Sequence, residues 1–155
     1  MDAQASQTNI VGPGEGEVVV LGPITTRIVE DGSHTESHMG AVVVTVAPRS
    51  PGPPQHVHRE HDEGFFITAG VMRFTMGEKT IDARAGTYVA VPRGIPHTFS
   101  NPFDETAEMF TIMTPDLYVP YFRDLKELQD GVGLNPPAVL KIMSRYATDP
   151  AAPPR

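Results

Sequence analysis

Short runs of β-branched and aromatic residues, repeatedly cut by Gly and Pro, constrain this chain more than any other feature of its sequence. The runs fall at 17–21, 24–30, 40–47, 55–59, 64–68, 71–76, 79–82, 87–91, 96–101 and 105–114. Between them lie Gly22-Pro23, Asp31-Gly32, Pro51-Gly52-Pro53-Pro54, Gly77-Glu78, Pro92-Arg93-Gly94 and Asn101-Pro102. Such punctuation predicts an all-β antiparallel sandwich or barrel rather than βαβ units. The 14 Gly and 16 Pro among 155 residues stay below the roughly 25–30% that marks low-complexity chains, so they read as turns.

The segment 71–76 alternates cleanly. Met72, Phe74 and Met76 share one face, and Arg73 and Thr75 share the other, as in a half-buried strand. Gly77-Glu78 suits a two-residue hairpin turn with Gly at its first central position. After Thr114 the period changes. Tyr118, Tyr121, Phe122, Leu125 and Leu128 recur at helical spacing. A second helix is expected over 137–146, with Asn135 as its cap and Pro in its first turn. The organisation read from this pattern is a flexible arm at 1–16, a β-domain at 17–114, a helical extension at 115–147 and a frayed, disordered tail at 148–155.

Several function classes are disfavoured. The chain has no Cys, which excludes a disulfide scaffold, a thiolate zinc site and a cysteine nucleophile. Its 12 Lys and Arg against 19 Asp and Glu give a net charge of −7. That sign argues against nucleic acid or an anionic membrane as partner. The longest apolar stretch, 41–47, falls far short of the ~20 residues of a membrane span. The first nine residues lack the basic-then-apolar order of a signal peptide, so a cytoplasmic protein is expected.

Three of the six histidines, His56, His58 and His61, fall just before Glu63. On a strand, His56 and His58 share a face, roughly 6.6 Å apart along the chain. Two imidazoles so placed can converge on one metal, and Glu63 could add a carboxylate oxygen. A fourth ligand must come from elsewhere, and His97 is the remaining histidine in a strand-like context. Histidines with a carboxylate suit a borderline divalent metal.

The two histidine segments resemble the paired motifs of the cupin superfamily. The first reads His56-x-His58-x4-Glu63-x6-Gly70, with Ser50 where the family's motif begins on Gly and with Gly52 nearby. The second, Gly86-x5-Pro92-x-Gly94-x2-His97-x3-Asn101, is complete. The wording at 53–58, 62–66 and 91–97 is most similar to quercetin-dioxygenase-like single-domain cupins. The resemblance implies a double-stranded β-helix (a jelly-roll barrel) followed here by the short C-terminal helical extension. It implies His56, His58, Glu63 and His97 as ligands of one divalent transition metal per chain, whether Fe, Mn, Ni, Co, Cu or Zn. It also implies a homodimer.

The activity expected on that basis is a metal-dependent dioxygenase acting on a small aromatic or enolic, flavonol-like substrate with O2. Glu63 would be the general base, and Phe65, Met72, Phe74 and Phe99 would line the substrate pocket. Two alternatives stand beside it: a non-catalytic metal- or small-molecule-binding module, and a metal-dependent isomerase or cyclase of a natural-product or sugar intermediate. His61, His34 and His38 read most simply as solvated loop histidines. Arg93 reads as a solvated turn residue. Tyr118, Tyr121 and Phe122 could form a lid, a helix-on-sheet contact or a dimer contact.

Overall fold

The computed structural model describes residues 8–153 and 155. The first seven residues of the expected arm and Pro154 of the expected tail lie outside the described residues. Strands β1 (Glu17–Leu21), β2 (Ile24–Glu30), β3 (Gly40–Val46), β4 (His56–His58) and β5 (Asp62–Ala69) come first. They are followed by β6 (Val71–Met76), β7 (Lys79–Arg84), β8 (Tyr88–Val91), β9 (His97–Ser100) and β10 (Ala107–Thr114). Helices α1 (Val119–Asp130) and α2 (Pro136–Arg145) then precede a last short strand, β11 (Thr148–Pro150).

The strands form two antiparallel sheets, ordered β1-β2-β3-β10-β5-β8 and β11-β4-β9-β6-β7. Alternation decides which face of each strand is buried. In β3 and β10, Val42, Val44, Val46, Ala107, Met109 and Met113 point inward, whereas Val43 and Phe110 stay partly exposed. Phe65, Ile67, Met72 and Phe74 join them from β5 and β6. Full burial of each such side chain contributes about 1.5–3 kcal/mol. The Gly77-Glu78 hairpin is present, pairing Met76 with Lys79, and Gly77 takes a positive φ of 61°.

The motif position that lacks its Gly has a local explanation. Ser50 exchanges backbone hydrogen bonds with Asn101 at 2.8 and 3.0 Å. Two residues later, the Gly52 backbone presses so closely on the Phe99 carbonyl that a Cβ would sit 1.5 Å from its oxygen. The close approach falls at 52, and glycine stands there. Asn101 itself donates to the carbonyls of Val46, Ala47 and Glu105, tying the end of β9 to β3.

The helical extension follows the expected period. Asp116 accepts hydrogen bonds from the backbone N–H groups of Tyr118 and Val119 and so anchors the entry to α1, whose N-cap residue Tyr118 makes no side-chain cap. Asn135 caps α2 through Ala138 N–H at 3.1 Å. Val119, Tyr121 and Leu125 of α1 and Ile142 of α2 are buried against the same core. No helix among the described residues is long and apolar enough to cross a membrane.

One expectation, the tail, needs correction, and the described part of the arm makes contacts of its own: Asn9 donates to Val29 O at 2.7 Å and to the Glu30 carboxylate, and Arg27 donates to Glu15 O at 2.9 Å. These are side-chain tethers to β2, and periodicity carries no trace of them. The tail is not frayed at 148–150. It pairs antiparallel with β4 in the register Thr148–His58 and Pro150–His56. Ala151 N–H then donates to Gln55 O, and the Gln55 amide donates to Ala152 O. The open edge of β4 makes a strand of a segment that has no strand pattern of its own.

Candidate metal centre

Strand β4 turns His56 and His58 to one buried face, with Val57 on the other. Register then sets His97 of β9 directly opposite His56. The ring centroids of His56, His58 and His97 stand 4.5–5.1 Å apart. Glu63 projects from β5 in the opposing sheet, so the cluster lies between the two sheets. One carboxylate oxygen, Oε2, is 3.0 Å from His97 Nε2 and 3.4 Å from His58 Nε2. The other, Oε1, is 3.4 Å from His61 Nε2.

The structure thus brings together all four residues of the paired motifs, and it adds His61. One ligand atom from each of His56, His58 and His97 lies within 4.8 Å of the others, and the same holds for His58, His61 and Glu63. His61 is only 1% exposed, its ring 4.2 Å from that of His58. This overturns its reading as a solvated turn residue. The signal available was its i, i+2 relation to Glu63 at the entry to β5, which puts both on the inward face. Among the described residues, His34 and His38 do lie exposed on the 31–39 loop, and Arg93 lies exposed in an ion pair with Asp62.

The far sides of the three motif imidazoles are all engaged. His56 Nδ1 faces Pro54 O, and His97 Nδ1 faces Ile95 O, each at 2.9 Å. A carbonyl can only accept, so both Nδ1 atoms carry hydrogen. His58 Nδ1 is 2.8 Å from Thr148 Oγ1, whose own hydrogen goes to Tyr146 O. The hydroxyl therefore accepts there, and His58 Nδ1 also carries hydrogen. In the neutral form each ring then presents Nε2 as its lone-pair nitrogen.

Burial lowers the pKa of His56 to about 3, helped by the neighbouring His97 and His58 rings. It lowers that of His58 too, against the pull of Glu63. Burial alone would raise the Glu63 carboxyl, but the imidazoles of His58, His61 and His97 outweigh it and hold the pKa well below the usual range. Burial likewise opposes a charge on His97, yet Glu63 beside it raises its pKa. Glu63 is accordingly a buried carboxylate, ionised at neutral pH.

The surroundings are aromatic. Phe65 is buried, 6.4 Å from the His97 ring and 5.2 Å from Phe74 between ring centroids. Met72 and Phe74 are fully buried beneath it, while Phe99, opposite Phe74 in the β6–β9 register, is half-buried. On the other side the Tyr118 ring lies 4.7 Å from His58 and 5.0 Å from His61, with Tyr121 stacked on it at 4.6 Å. Tyr118 thus closes the cluster from the start of α1. Its helical period marked it as a packing residue, and that period gave no sign that it packs on imidazoles.

Known proteins share parts of this sequence and fold. Residues 42–113 match the family model described as the Cupin domain. The chain is 26% identical over 122 residues to quercetin 2,3-dioxygenase of Bacillus subtilis, a match covering 79% of this chain and 36% of that protein. The polyketide cyclase RemF from Streptomyces resistomycificus superposes with a TM-score of 0.62 at 18% identity, over 70% of this chain and 80% of that one. A cupin-superfamily sugar phosphate isomerase from Silicibacter pomeroyi gives 0.53 at 23% identity, over 59% of each chain. Residues 42–113 thus match a Cupin domain, within a fold of two antiparallel sheets and a short C-terminal helical part that resembles solved cupin structures. It spans about a third of the length of the curated relative it matches.

Proposed function

We propose that the protein is a metal-dependent dioxygenase of cupin type, acting on a small aromatic or enolic, flavonol-like substrate. In this reading His56, His58, Glu63 and His97 hold one divalent transition metal. The carrying observation is the convergence of three Nδ1-anchored imidazoles on one buried, ionised carboxylate. His58 Nε2 is buried and makes no hydrogen bond, which fits a nitrogen awaiting a cation. Three nitrogens and one oxygen form a donor set for Fe, Mn, Ni, Co, Cu or Zn. Such a metal supplies Lewis acidity toward an enolate or phenolate oxygen and a template for O2.

The chain's own groups divide the remaining work. The two oxygens of Glu63 face different partners, so one can serve the metal while the other takes the substrate's hydroxyl proton. His61 lies beside that second oxygen and orients it. Phe99, half-buried, offers apolar surface to a flat substrate, with Phe65, Met72 and Phe74 behind it in the core. Tyr118 excludes water from the side of α1. The likeness to a quercetin dioxygenase supports the choice of a flavonol-like substrate and of O2 as its co-substrate. A homodimer through the edge strand β1, where Val18 and Val20 are exposed, accompanies this reading.

The test is O2 uptake by metal-reconstituted protein across a panel of flavonols, beside a Glu63→Gln variant. The expected result is substrate-dependent O2 consumption, reduced at least ~100-fold in Glu63→Gln with metal retained. Substrate conversion without O2 uptake would replace the oxygenase with an isomerase or cyclase. Binding without turnover would replace it with a binding module.

A further inference from the structure

We infer that Thr148 is a positioning residue for His58, and that the C-terminal strand is part of the metal centre. The segment lies beyond the 42–113 stretch that matches the family model, and no sequence motif marks it. Thr148 is 1% exposed and opposite His58 in the β11–β4 register. Its hydroxyl is committed in both senses. It donates to Tyr146 O at 3.0 Å and is left only as an acceptor toward His58 Nδ1 at 2.8 Å.

Two consequences follow for the imidazole. The hydrogen is fixed on Nδ1, so Nε2 is the bare nitrogen, and it is this Nε2 that is buried without a partner beside Glu63. The ring plane is also fixed, because a backbone-anchored hydroxyl holds one edge while Tyr118 packs against the ring. His56 and His97 take their Nδ1 acceptors from carbonyls two residues away, within their own strand approaches. His58 alone of the three depends on a residue 90 positions distant. The strand that supplies it is held by the Arg59–Asp149 ion pair and by the Gln55 contacts to Ala151 and Ala152. Hydrogen-bond partners behind a ligating imidazole typically govern metal affinity by 10–100-fold.

This inference rests on the metal reading above for its effect on affinity, but its effect on His58 does not. The experiment compares wild type with Thr148→Val, Thr148→Ser and His58→Ala, each stripped with chelator. Cobalt(II) titration gives Kd, and imidazole 15N shifts of the metal-free proteins give the His58 tautomer. The expected result is cobalt binding weakened about 10–100-fold in Thr148→Val and restored by Thr148→Ser. His58 should hold the Nδ1–H form in wild type and the Ser variant and a tautomer mixture in the Val variant. Equal affinity and an unchanged tautomer in Thr148→Val would overturn the inference, as would equal weakening by Ser and Val. If wild type takes up no cobalt, or His58→Ala binds as tightly as wild type, the metal reading fails. The tautomer comparison then still decides whether Thr148 sets the imidazole.

Discussion

His97 Nε2 stands 3.0 Å from Oε2 of Glu63, and this contact links β9 of one sheet to β5 of the other. Both groups are buried, so neither can turn to water when the partner is lost. In chelator-stripped protein, Glu63→Ala should lower stability by about 1–3 kcal/mol, since it removes the buried carboxylate that bridges the His97 and His58 rings across the two sheets. Urea unfolding checks this. An unchanged midpoint would mean that the pair holds nothing together in the metal-free state.

His61 touches Glu63 on the oxygen that faces away from His97. Replacing it with Asn should leave metal stoichiometry near wild type while lowering turnover about tenfold, because the carboxylate loses one of its three imidazole contacts, the one on Oε1. Metal analysis and steady-state rates on the same preparation separate the effects. Loss of metal would instead make His61 a ligand in its own right.

Gly52 is irreplaceable on steric grounds. Its missing side chain would collide with backbone, not with a movable side chain, so the barrel end near Phe99 would have to shift. Gly52→Ala should cost about 3 kcal/mol or more and weaken metal uptake through the displaced β9. A thermal melt within error of wild type would contradict the close approach seen here.

Asp31 gives the fold a pH dependence of known sign. Hydrogen bonding from Ser33, aided by the Arg123 guanidinium, lowers its pKa to about 2, against the effect of burial. The folded value lies below the unfolded one. The group therefore adds stability above about pH 4, and that stability disappears as pH falls toward about 2. Melting curves of wild type and Asp31→Asn should be separated at neutral pH and converge at the acid end. A gap that persists at pH 2 would show that the asparagine acts through packing instead.

Much of this was legible in the chain because it is local. Period-2 alternation and Gly/Pro turns mark β6 and its hairpin residue by residue, and helical spacing marks α1 and α2. The spacing of His56, His58, Glu63 and His97 carried the geometric expectation as far as one strand face and a folded-back partner. What the sequence hid is non-local. Thr148 reaches the site only because β4 leaves an open edge for β11. For His61 the local i, i+2 relation to Glu63 marked the inward face, but the Tyr118 ring that packs on it arrives 57 positions later, at the start of α1. The tether of Asn9 to β2 is a side-chain contact without period.

The most direct test of the central claim is metal content, measured by elemental mass spectrometry on untagged protein beside a His97→Ala control. Close to one transition-metal ion per chain is expected, lost in the control. No bound metal after reconstitution with any of the six candidate ions, or equal content in His97→Ala, would contradict it.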